Sequence, residues 1–405
     1  MKPISFIQPS RSNLKYLKWS YNSIRKNLGY RHELCWADDA STDGTWEWMV
    51  KTAKKDQNIK LYRNEGPERL GHTILYDKLV ELATCDIVMI FHADMYAPPG
   101  IDEEIHKHID ENTVVSLTRV EPPLHPDGPE KILADYGIEP EEFDELAFLR
   151  KYDELKQNRT TEGIFAPWAI YKKNFEEING HDPLYAPQSK EDSDIFNRFV
   201  LNGYKLVQTW DGFVYHMSCR GSRFKDGVPD RNVAGQTFVE GRESKEWLEQ
   251  NQRSTRNFIR KWGHMVKHDE MMKPIIPPKY NIGFKVYNCH INLLRELEPW
   301  CNCIYLDYGA IGKYAHEYRK EEQLNTSFNL DERIKMYGTA DITEYHDIVV
   351  EFDAQKLTQE NFQIIVNLSK LLQDSGEIGE MEHDIFKFYI KSLESYENNL
   401  IVCEK

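Results

Sequence analysis

The chain has little of several features that mark particular classes of protein. It has seven cysteines in 405 residues, an odd number that argues against a disulfide framework and suits a reducing compartment. Its longest strongly apolar run, residues 87–91, is far shorter than the ~20 residues that span a bilayer. The first ten residues, MKPISFIQPS, lack the apolar segment of a signal peptide. We therefore expect a cytoplasmic protein without a membrane span.

Positive charge is also in deficit. Lysine and arginine total 51 against 66 acidic residues, and the formal net charge is -15. A general nucleic-acid binder has the opposite balance, so no nucleic-acid partner is expected. Any anionic ligand must be met by local basic residues. Cys301 and Cys303 form a C-x-C pair with no second pair, so the spacing does not favour a zinc site.

The composition fits a folded protein of several domains. Hydrophobic residues make up 40% of the chain and aromatic residues 12%, which excludes a disordered or fibrous protein. At ~150 residues per domain, the length predicts two or three domains.

The first 110 residues alternate between strand and helix patterns. Apolar runs predict strands and amphipathic stretches predict helices, which gives the order β-α-β-α-β-α-β. This order predicts an α/β fold, with a mainly parallel sheet and helices on its faces. The predicted strands are 4–8, 33–37, 59–62 and 86–92, and the predicted helices are 16–28, 45–55 and 72–83.

The pattern changes twice further along the chain. Four early prolines and then charged helical stretches predict an insertion or lid at about residues 121–157. Clustered prolines after residue 273 predict a linker. We therefore predict a first domain at 1–225, a helical extension at 226–273 and a small α/β domain at 274–405. The last has predicted strands at 281–287, 302–306 and 347–352 and a helix at 358–372.

Polar residues follow the predicted strands of the first domain. In parallel sheets, ligands bind beyond the carboxyl ends of the strands. Carboxylates and arginines at one such edge suit a ligand with a base or ribose, a diphosphate and a divalent metal. The alternative for Asp38 and Asp43 is that they cap the helix near Thr45. The strand-end residues are Pro9, Ser10, Arg11, Asp38, Asp39, Arg63, Arg69, His92, Ala93 and Asp94.

These segments, in this order, resemble family 2 glycosyltransferases of the GT-A fold over roughly residues 1–224. The resemblance is carried by ISFIQPSRS, WADDASTDGTWEWM, NEGPERLG, IVMIFHADMYAPPG, GIFAPWAIYKKNFEEINGHDPLY, KEDSDIFNRFVLNGY and WDGFVYH. It implies a Rossmann-like nucleotide-diphospho-sugar transferase domain, here with a helical extension and a small C-terminal α/β domain.

The resemblance implies donor and metal residues. Asp39 matches the acid that reads the nucleotide base, with Asp38 beside it, and Pro9, Ser10 and Arg11 line the same pocket. Arg69 and Ala93 are expected on the donor side as well. Asp94 matches the final acid of the D-x-D motif, which binds Mn²⁺ or Mg²⁺ together with the diphosphate.

The metal motif departs from the family pattern. It reads HAD, so His92 stands in place of the first acid and Ala93 cannot ligate. His216 matches a histidine that supplies a second metal ligand in some relatives, although a lone histidine often has a purely structural role.

The resemblance also implies a catalytic base. Asp192, in the pair Glu191-Asp192, matches the base of inverting enzymes, which takes the proton of the acceptor hydroxyl. Capping of the following helix is the alternative. Glu191 and Trp168 are expected on the acceptor side, where an aromatic ring can stack on a sugar. For Trp168, core packing remains an equal alternative.

A basic loop follows His216 in the run CRGSRFKDG. Its glycines and cations predict a lid in which Arg223 meets the diphosphate. A solvated basic loop is the alternative.

Together these features predict an inverting, metal-dependent glycosyltransferase. It would move a sugar from a nucleoside diphosphate donor, with UDP favoured, to a glycan or other hydroxyl acceptor in polysaccharide or glycoconjugate synthesis. The C-terminal domain is expected to mediate homo-oligomerisation or acceptor docking. One rival is a nucleotidyltransferase, but QPSRSNLKY lacks the glycine-rich loop which that class requires. The other rival is a non-catalytic sugar-nucleotide or glycan-binding module on a decayed transferase fold.

Overall fold

The computed structural model describes residues 1–124, 126–218, 243–307, 315–337 and 341–403. It divides into two compact units. The first comprises Met1–Asn251, His268–Ile275 and Val402–Lys405, and the second comprises Gln252–Lys267 and Ile276–Ile401. The domain boundaries and functions predicted from the sequence remain predictions.

The first unit begins with the predicted alternation of strands and helices. Its four leading strands are β1 (Ile4–Ser10), β2 (Glu33–Asp39), β3 (Ile59–Asn64) and β4 (Ile87–Ile90). The helices between them are α1 (Leu14–Asn27), α2 (Thr45–Ala53) and α3 (Gly71–Leu82). Every residue of β2 and β4 is buried, as expected for strands covered on both faces. The predicted α/β fold class is confirmed.

The rest of this unit adds six strands and four helices among its described residues. The strands are β5 (Met95–Tyr96), β6 (Thr113–Glu121), β7 (Ile132–Leu133), β8 (Thr160–Thr161), β9 (Trp168–Tyr171) and β10 (Lys205–His216). The helices are α4 (Ile101–His108), α5 (Glu145–Leu155), α6 (Lys172–Glu177) and α7 (Glu191–Leu201). Helix α8 (Lys245–Trp262) begins in the first unit and ends in the second.

One sheet collects these strands in the order β3-β2-β1-β4-β9-β6-β10-β5, with β7 beside β6 and β8 beside β10. Strands β1 to β4 are parallel. Strand β9 is antiparallel to both β4 and β6, and β6 is parallel to β10. Strands β1, β2, β3, β4, β6 and β10 therefore all point the same way. Their carboxyl ends meet at one edge of the sheet, where ligands bind in such folds.

The segment predicted as an insertion or lid packs onto this sheet. Strand β7 extends β6, and Phe148 and Tyr152 of α5 join an aromatic core with Phe213 and Tyr215 of β10. The hydroxyl of Tyr215 donates to the carbonyl of Gly137 at 2.7 Å. The segment therefore shares its hydrophobic core with the sheet.

The second unit has a sheet of its own. Its strands are β11 (Ile282–Tyr287), β12 (Cys303–Leu306), β13 (Ile334–Met336), β14 (Ile348–Asp353), β15 (Gly379–His383) and β16 (Phe386–Ile390). The order is β13-β12-β11-β14-β16-β15, and the first four are parallel. The remaining described helices are α9 (Ile291–Leu297), α10 (His316–Glu322), α11 (Leu330–Arg333), α12 (Gln359–Val366) and α13 (Leu368–Ser375).

The helix predicted at 358–372 is wrong as a single element. Asn367 leaves the helical conformation, with φ -106° and ψ 10°, and separates α12 from α13. The capping box of Thr358 and Asn361 fixes the start of α12.

A buried charge network holds the second unit together. Glu298 is fully buried and accepts hydrogen bonds from both Arg260 and Arg333. Burial raises the pKa of Glu298, but Arg333 and Arg260 outweigh it and bring that pKa to about 2. Removing one member of such a buried network leaves an uncompensated charge.

We expect Glu298→Ala to lower the free energy of unfolding by about 3–5 kcal/mol, because Arg260 and Arg333 would remain buried without their shared carboxylate. Urea unfolding measures the change. The control is Glu296→Ala, which removes an exposed carboxylate two residues away and should change stability by less than about 0.5 kcal/mol. Equal effects of the two changes would contradict the network's role.

Candidate active site

A cavity of about 750 Å³ lies at the carboxyl end of the first sheet. Pro9, Ser10 and Arg11 line it where β1 ends. The guanidinium of Arg11 donates to the backbone carbonyl of Asp39 at 3.0 Å. The ends of β1 and β2 are thereby joined at the wall of the cavity.

Asp39 lines the same wall and holds the start of α3. Its carboxylate accepts hydrogen bonds from the backbone N–H of Leu70 at 3.0 Å and of Gly71 at 2.9 Å. It also accepts one from Asn64 Nδ2 at 2.7 Å, and Arg69 Nε lies 3.7 Å away. A carboxylate at a helix N-terminus meets unpaired N–H groups and the positive end of the helix dipole.

Asp38, predicted to bind the donor, is not among the residues that line the cavity. Its side chain is fully buried, and neither carboxylate oxygen accepts a hydrogen bond within the described residues. Arg63 Nε lies 3.8 Å from it. The N-cap residue of α2 is Gly44, without a side-chain cap, and Asp43 meets the start of this helix through its Oδ1, which accepts from the N–H of Thr45 at 3.1 Å.

Helix α3 and the loop before α7 approach closely. Gly71 has φ +77°, and a Cβ there would lie 2.0 Å from the carbonyl oxygen of Pro187. Arg69, which lines the cavity, donates to Gln188 Oε1 at 2.5 Å. Glycine is therefore required at position 71, because a side chain would separate the two segments.

Glu191 and Asp192 begin α7 and face the cavity. Glu191 Oε1 lies 2.6 Å from His72 Nε2. Burial raises the pKa of Glu191, but His72 outweighs it and holds that pKa below its usual value. Glu191 is thus a paired, ionised carboxylate.

Asp192 has a different environment. Within the described residues it forms neither a hydrogen bond nor an ion pair. Burial and the neighbouring charge of Glu191 raise the pKa of Asp192 to about 6. A carboxylate with such a pKa is suited to accept a proton near neutral pH.

His72 and Tyr76 lie one helical turn apart on α3, and both line the cavity. Burial raises the pKa of Tyr76, and the charges of Asp192, Glu191 and Asp94 raise it further. The Tyr76 hydroxyl is thus subject to the negative charge of acids from both sides of the cavity. The sequence analysis missed these two residues, which i, i+4 spacing on the helix after NEGPERLG would have indicated.

A second group of side chains lies at the ends of β4 and β10. The ligand atoms of His92, Asp94 and His216 all lie within 4.8 Å of one another. Burial lowers the pKa of His216, but Asp94 and Glu121 outweigh it and raise that pKa to about 9. Two imidazoles and a carboxylate are chemically suited to a divalent metal. His92, Ala93 and Asp94 line the cavity directly.

Glu121, the last residue of β6, supports this group. Its Oε1 lies 2.8 Å from His216 Nδ1, so His216 Nε2 is turned toward Asp94, 3.5 Å away. Arg119 and Lys131 bind the same carboxylate at 3.0 and 3.2 Å. The sequence analysis missed Glu121, because nothing in its local pattern links it to a histidine 95 residues later.

Trp168 does not fit its predicted acceptor role. It lies in β9, between β4 and β6, and is fully buried. Its ring packs against Phe175, Phe196 and Phe199 and has no free face for a sugar. The core-packing alternative is supported, and Phe165 and Trp247 are aromatic residues that do line the cavity.

Arg223 and the rest of the predicted basic lid lie outside the described residues. Among the described residues, no helix combines the length and apolar character that crossing a membrane requires.

Comparison with known proteins supports the resemblance found in the sequence. Residues 5–178 match the family model described as glycosyl transferase family 2. The match bears out the predicted resemblance over these residues, which make up less than half of the chain.

Similar solved structures include S. aureus TarS 1–349, at 18% identity and a TM-score of 0.39, covering 53% of this chain and 60% of that one. GalNAc-T7 with UDP, GalNAc and Mn²⁺ has 13% identity and a TM-score of 0.45, covering 65% of this chain and 49% of that one. The chain thus spans less than two thirds of either protein. No curated protein sequence matches. These values are too low to carry functional residues across.

Glu121→Gln should weaken Mn²⁺ binding by about 10–100-fold, because a neutral amide makes the His216 imidazole a poorer and less firmly oriented ligand. Isothermal titration with MnCl₂ measures the affinity. Glu130→Gln is the matched control, since Glu130 lies 3.5 Å from Arg119 but does not contact His216. Unchanged Mn²⁺ affinity in Glu121→Gln would contradict the supporting role.

Proposed function

We propose that this chain transfers a sugar from a nucleoside diphosphate donor to an acceptor hydroxyl, with inversion at the anomeric carbon. His92, Asp94 and His216 are called the metal-type cluster below. The observation that carries the proposal is that one cavity is bordered both by Asp94 of this cluster and by Asp192, which has no partner among the described residues. The first suits a diphosphate with a metal ion, and the second suits an acceptor that must lose a proton.

The donor side follows from charge and polarity. Asp39 and the end of β1 are proposed to meet the nucleoside, and Arg69 the diphosphate. Asp94 and His216 are proposed to hold Mn²⁺ or Mg²⁺. Bound there, such an ion supplies neutralisation of the negative charge on the leaving diphosphate.

The acceptor side follows from the pairing of the two acids. Glu191 is held by His72, which leaves Asp192 as the carboxylate without a partner among the described residues. Asp192 takes the acceptor hydroxyl proton while the acceptor oxygen bonds to the anomeric carbon. The bond from that carbon to the diphosphate oxygen breaks, and its electron pair leaves with the diphosphate. One displacement inverts the anomeric centre.

The second unit is proposed to serve in oligomerisation or acceptor docking, with the chemistry in the first unit. The rival hypothesis, a decayed transferase that only binds its ligand, is favoured by the HAD sequence of the metal motif. The two differ in whether a bound donor reacts.

The proposal is tested first by nucleotide release from UDP-, GDP- and dTDP-sugars, with Mn²⁺ and then with EDTA. Release from one donor that is lost on chelation supports metal-dependent transfer and identifies the donor, with UDP-sugars expected. Donor binding by calorimetry without release, even with glycan acceptors present, would support the binding module instead.

Asp192→Asn should lower the rate of sugar transfer by about 10²–10⁴-fold, because the amide cannot accept the acceptor proton. Donor affinity should stay native. Product formation at saturating donor measures the rate, and calorimetry measures donor binding. Ser193→Ala, next in the chain, is the control and should transfer normally. Native transfer by Asp192→Asn would show that another group is the base.

The pH dependence of sugar transfer should reflect the ionisation of Asp192. Because its pKa is raised to about 6, the reactive ionised form is lost as the pH falls through that value. The pH dependence of kcat/KM should therefore rise to a plateau above a midpoint near 6. In His72→Asn the midpoint should move to higher pH, since His72 lowers the pKa of Asp192. A midpoint near 4, or one that His72→Asn leaves unmoved, would contradict the assignment.

A further inference from the structure

The metal-type cluster contains a residue that the family pattern does not supply. His92 occupies the place of the first acid of the D-x-D motif, and its ligand atom lies with those of Asp94 and His216 within 4.8 Å. The cluster therefore offers two imidazole nitrogens and one carboxylate oxygen.

Hydrogen bonds hold the backbone of His92 at the edge of the cavity. The His92 carbonyl accepts hydrogen bonds from the N–H of Met95 at 3.2 Å and from Gln8 Nε2 at 3.4 Å. Gln8 is itself held, because its Oε1 accepts from Trp36 Nε1 at 3.0 Å. The tight turn after β4 thus holds both His92 and Asp94.

The position of the His92 side chain suits a metal ligand. Its ring centroid lies 5.6 Å from that of His216, at an interplanar angle of 60°. In the part of the chain that the structure describes, neither ring nitrogen of His92 forms a hydrogen bond. Both ring nitrogens are therefore available to bind an ion.

The donor set decides which ions fit. Mg²⁺ prefers oxygen ligands and keeps several waters, whereas imidazole suits transition ions. His92, Asp94 and His216 would supply three ligands, and an ion that takes more would complete its coordination with water or phosphate oxygens.

We propose that His92 is a metal ligand, and that with Asp94 and His216 it forms a site that selects first-row transition ions over Mg²⁺. The inference rests on the proposed function, because the ion would sit in the proposed donor site. It narrows the expected cofactor from Mn²⁺ or Mg²⁺ to Mn²⁺ and its transition-metal neighbours.

The first measurement is spectroscopic and uses the full chain without turnover. Pulsed EPR of bound Mn²⁺ counts directly coordinated nitrogen atoms. Two imidazole couplings in the native protein are expected, and one coupling would overturn the role of His92. This result is independent of whether any variant folds.

The second measurement compares ions by calorimetry, with MnCl₂, CoCl₂ and MgCl₂. His92→Asp restores two acids at the motif and should lower the preference for Mn²⁺ over Mg²⁺ by roughly tenfold or more, because an oxygen donor replaces an imidazole. His108→Gln, on α4, should leave both affinities native. Equal Mn²⁺ and Mg²⁺ affinities in the native protein, or an unchanged ratio in His92→Asp, would overturn the proposal.

The outcomes separate this inference from the proposed function. If the native protein binds Mn²⁺ through one nitrogen, the inference fails and metal-dependent transfer stands. If the native protein binds none of the three ions, with or without UDP, both the inference and the metal dependence of the proposed function fail.

Discussion

The site depends on how the buried carboxylates at one edge of the first sheet find hydrogen-bond or ion-pair partners. Each buried acid there needs a partner, because an isolated buried charge is strongly unfavourable. Asp39 is matched by backbone N–H groups at the start of α3, Glu121 by cations and a histidine, and Glu191 by His72. Asp192 has no such partner among the described residues, and burial together with the charge of Glu191 raises its pKa to about 6.

The compensating contacts also aim the reactive groups. The bond network of Asp39 fixes where α3 begins, and this sets the positions of His72 and Tyr76 along the cavity wall. Glu121 turns His216 toward Asp94. The paired acids therefore hold two groups apart within a cavity of about 750 Å³. One is the cluster of His92, Asp94 and His216, and the other is the carboxylate of Asp192.

The alternation of the first strands and helices could be predicted from the sequence, because apolar runs are local features. The strand-end residues could be predicted as well, because parallel strands bring their carboxyl ends together. The sequence did not reveal that residues 168–171 return as a central strand between β4 and β6, which is why Trp168 is buried. Nor did it reveal the pairs of His72 with Glu191 and of Glu121 with His216. Their partners lie 119 and 95 residues apart, and such pairing depends on tertiary packing that no local spacing encodes.

The HAD motif is better explained as a changed metal site than as decay. His92 in place of an acid removes one negative charge from the predicted metal ligands. Glu121, which is hydrogen-bonded to His216, places another carboxylate next to the same cluster. A protein that had lost catalysis would gain stability by pairing or replacing Asp192, which has a raised pKa and no partner among the described residues. The chain instead keeps that acid in the same cavity as Asp94 of the metal-type cluster, in which Glu121 orients His216. An unpartnered carboxylate with a raised pKa, kept at the wall of the cavity, is the pattern expected of a site that still performs proton transfer.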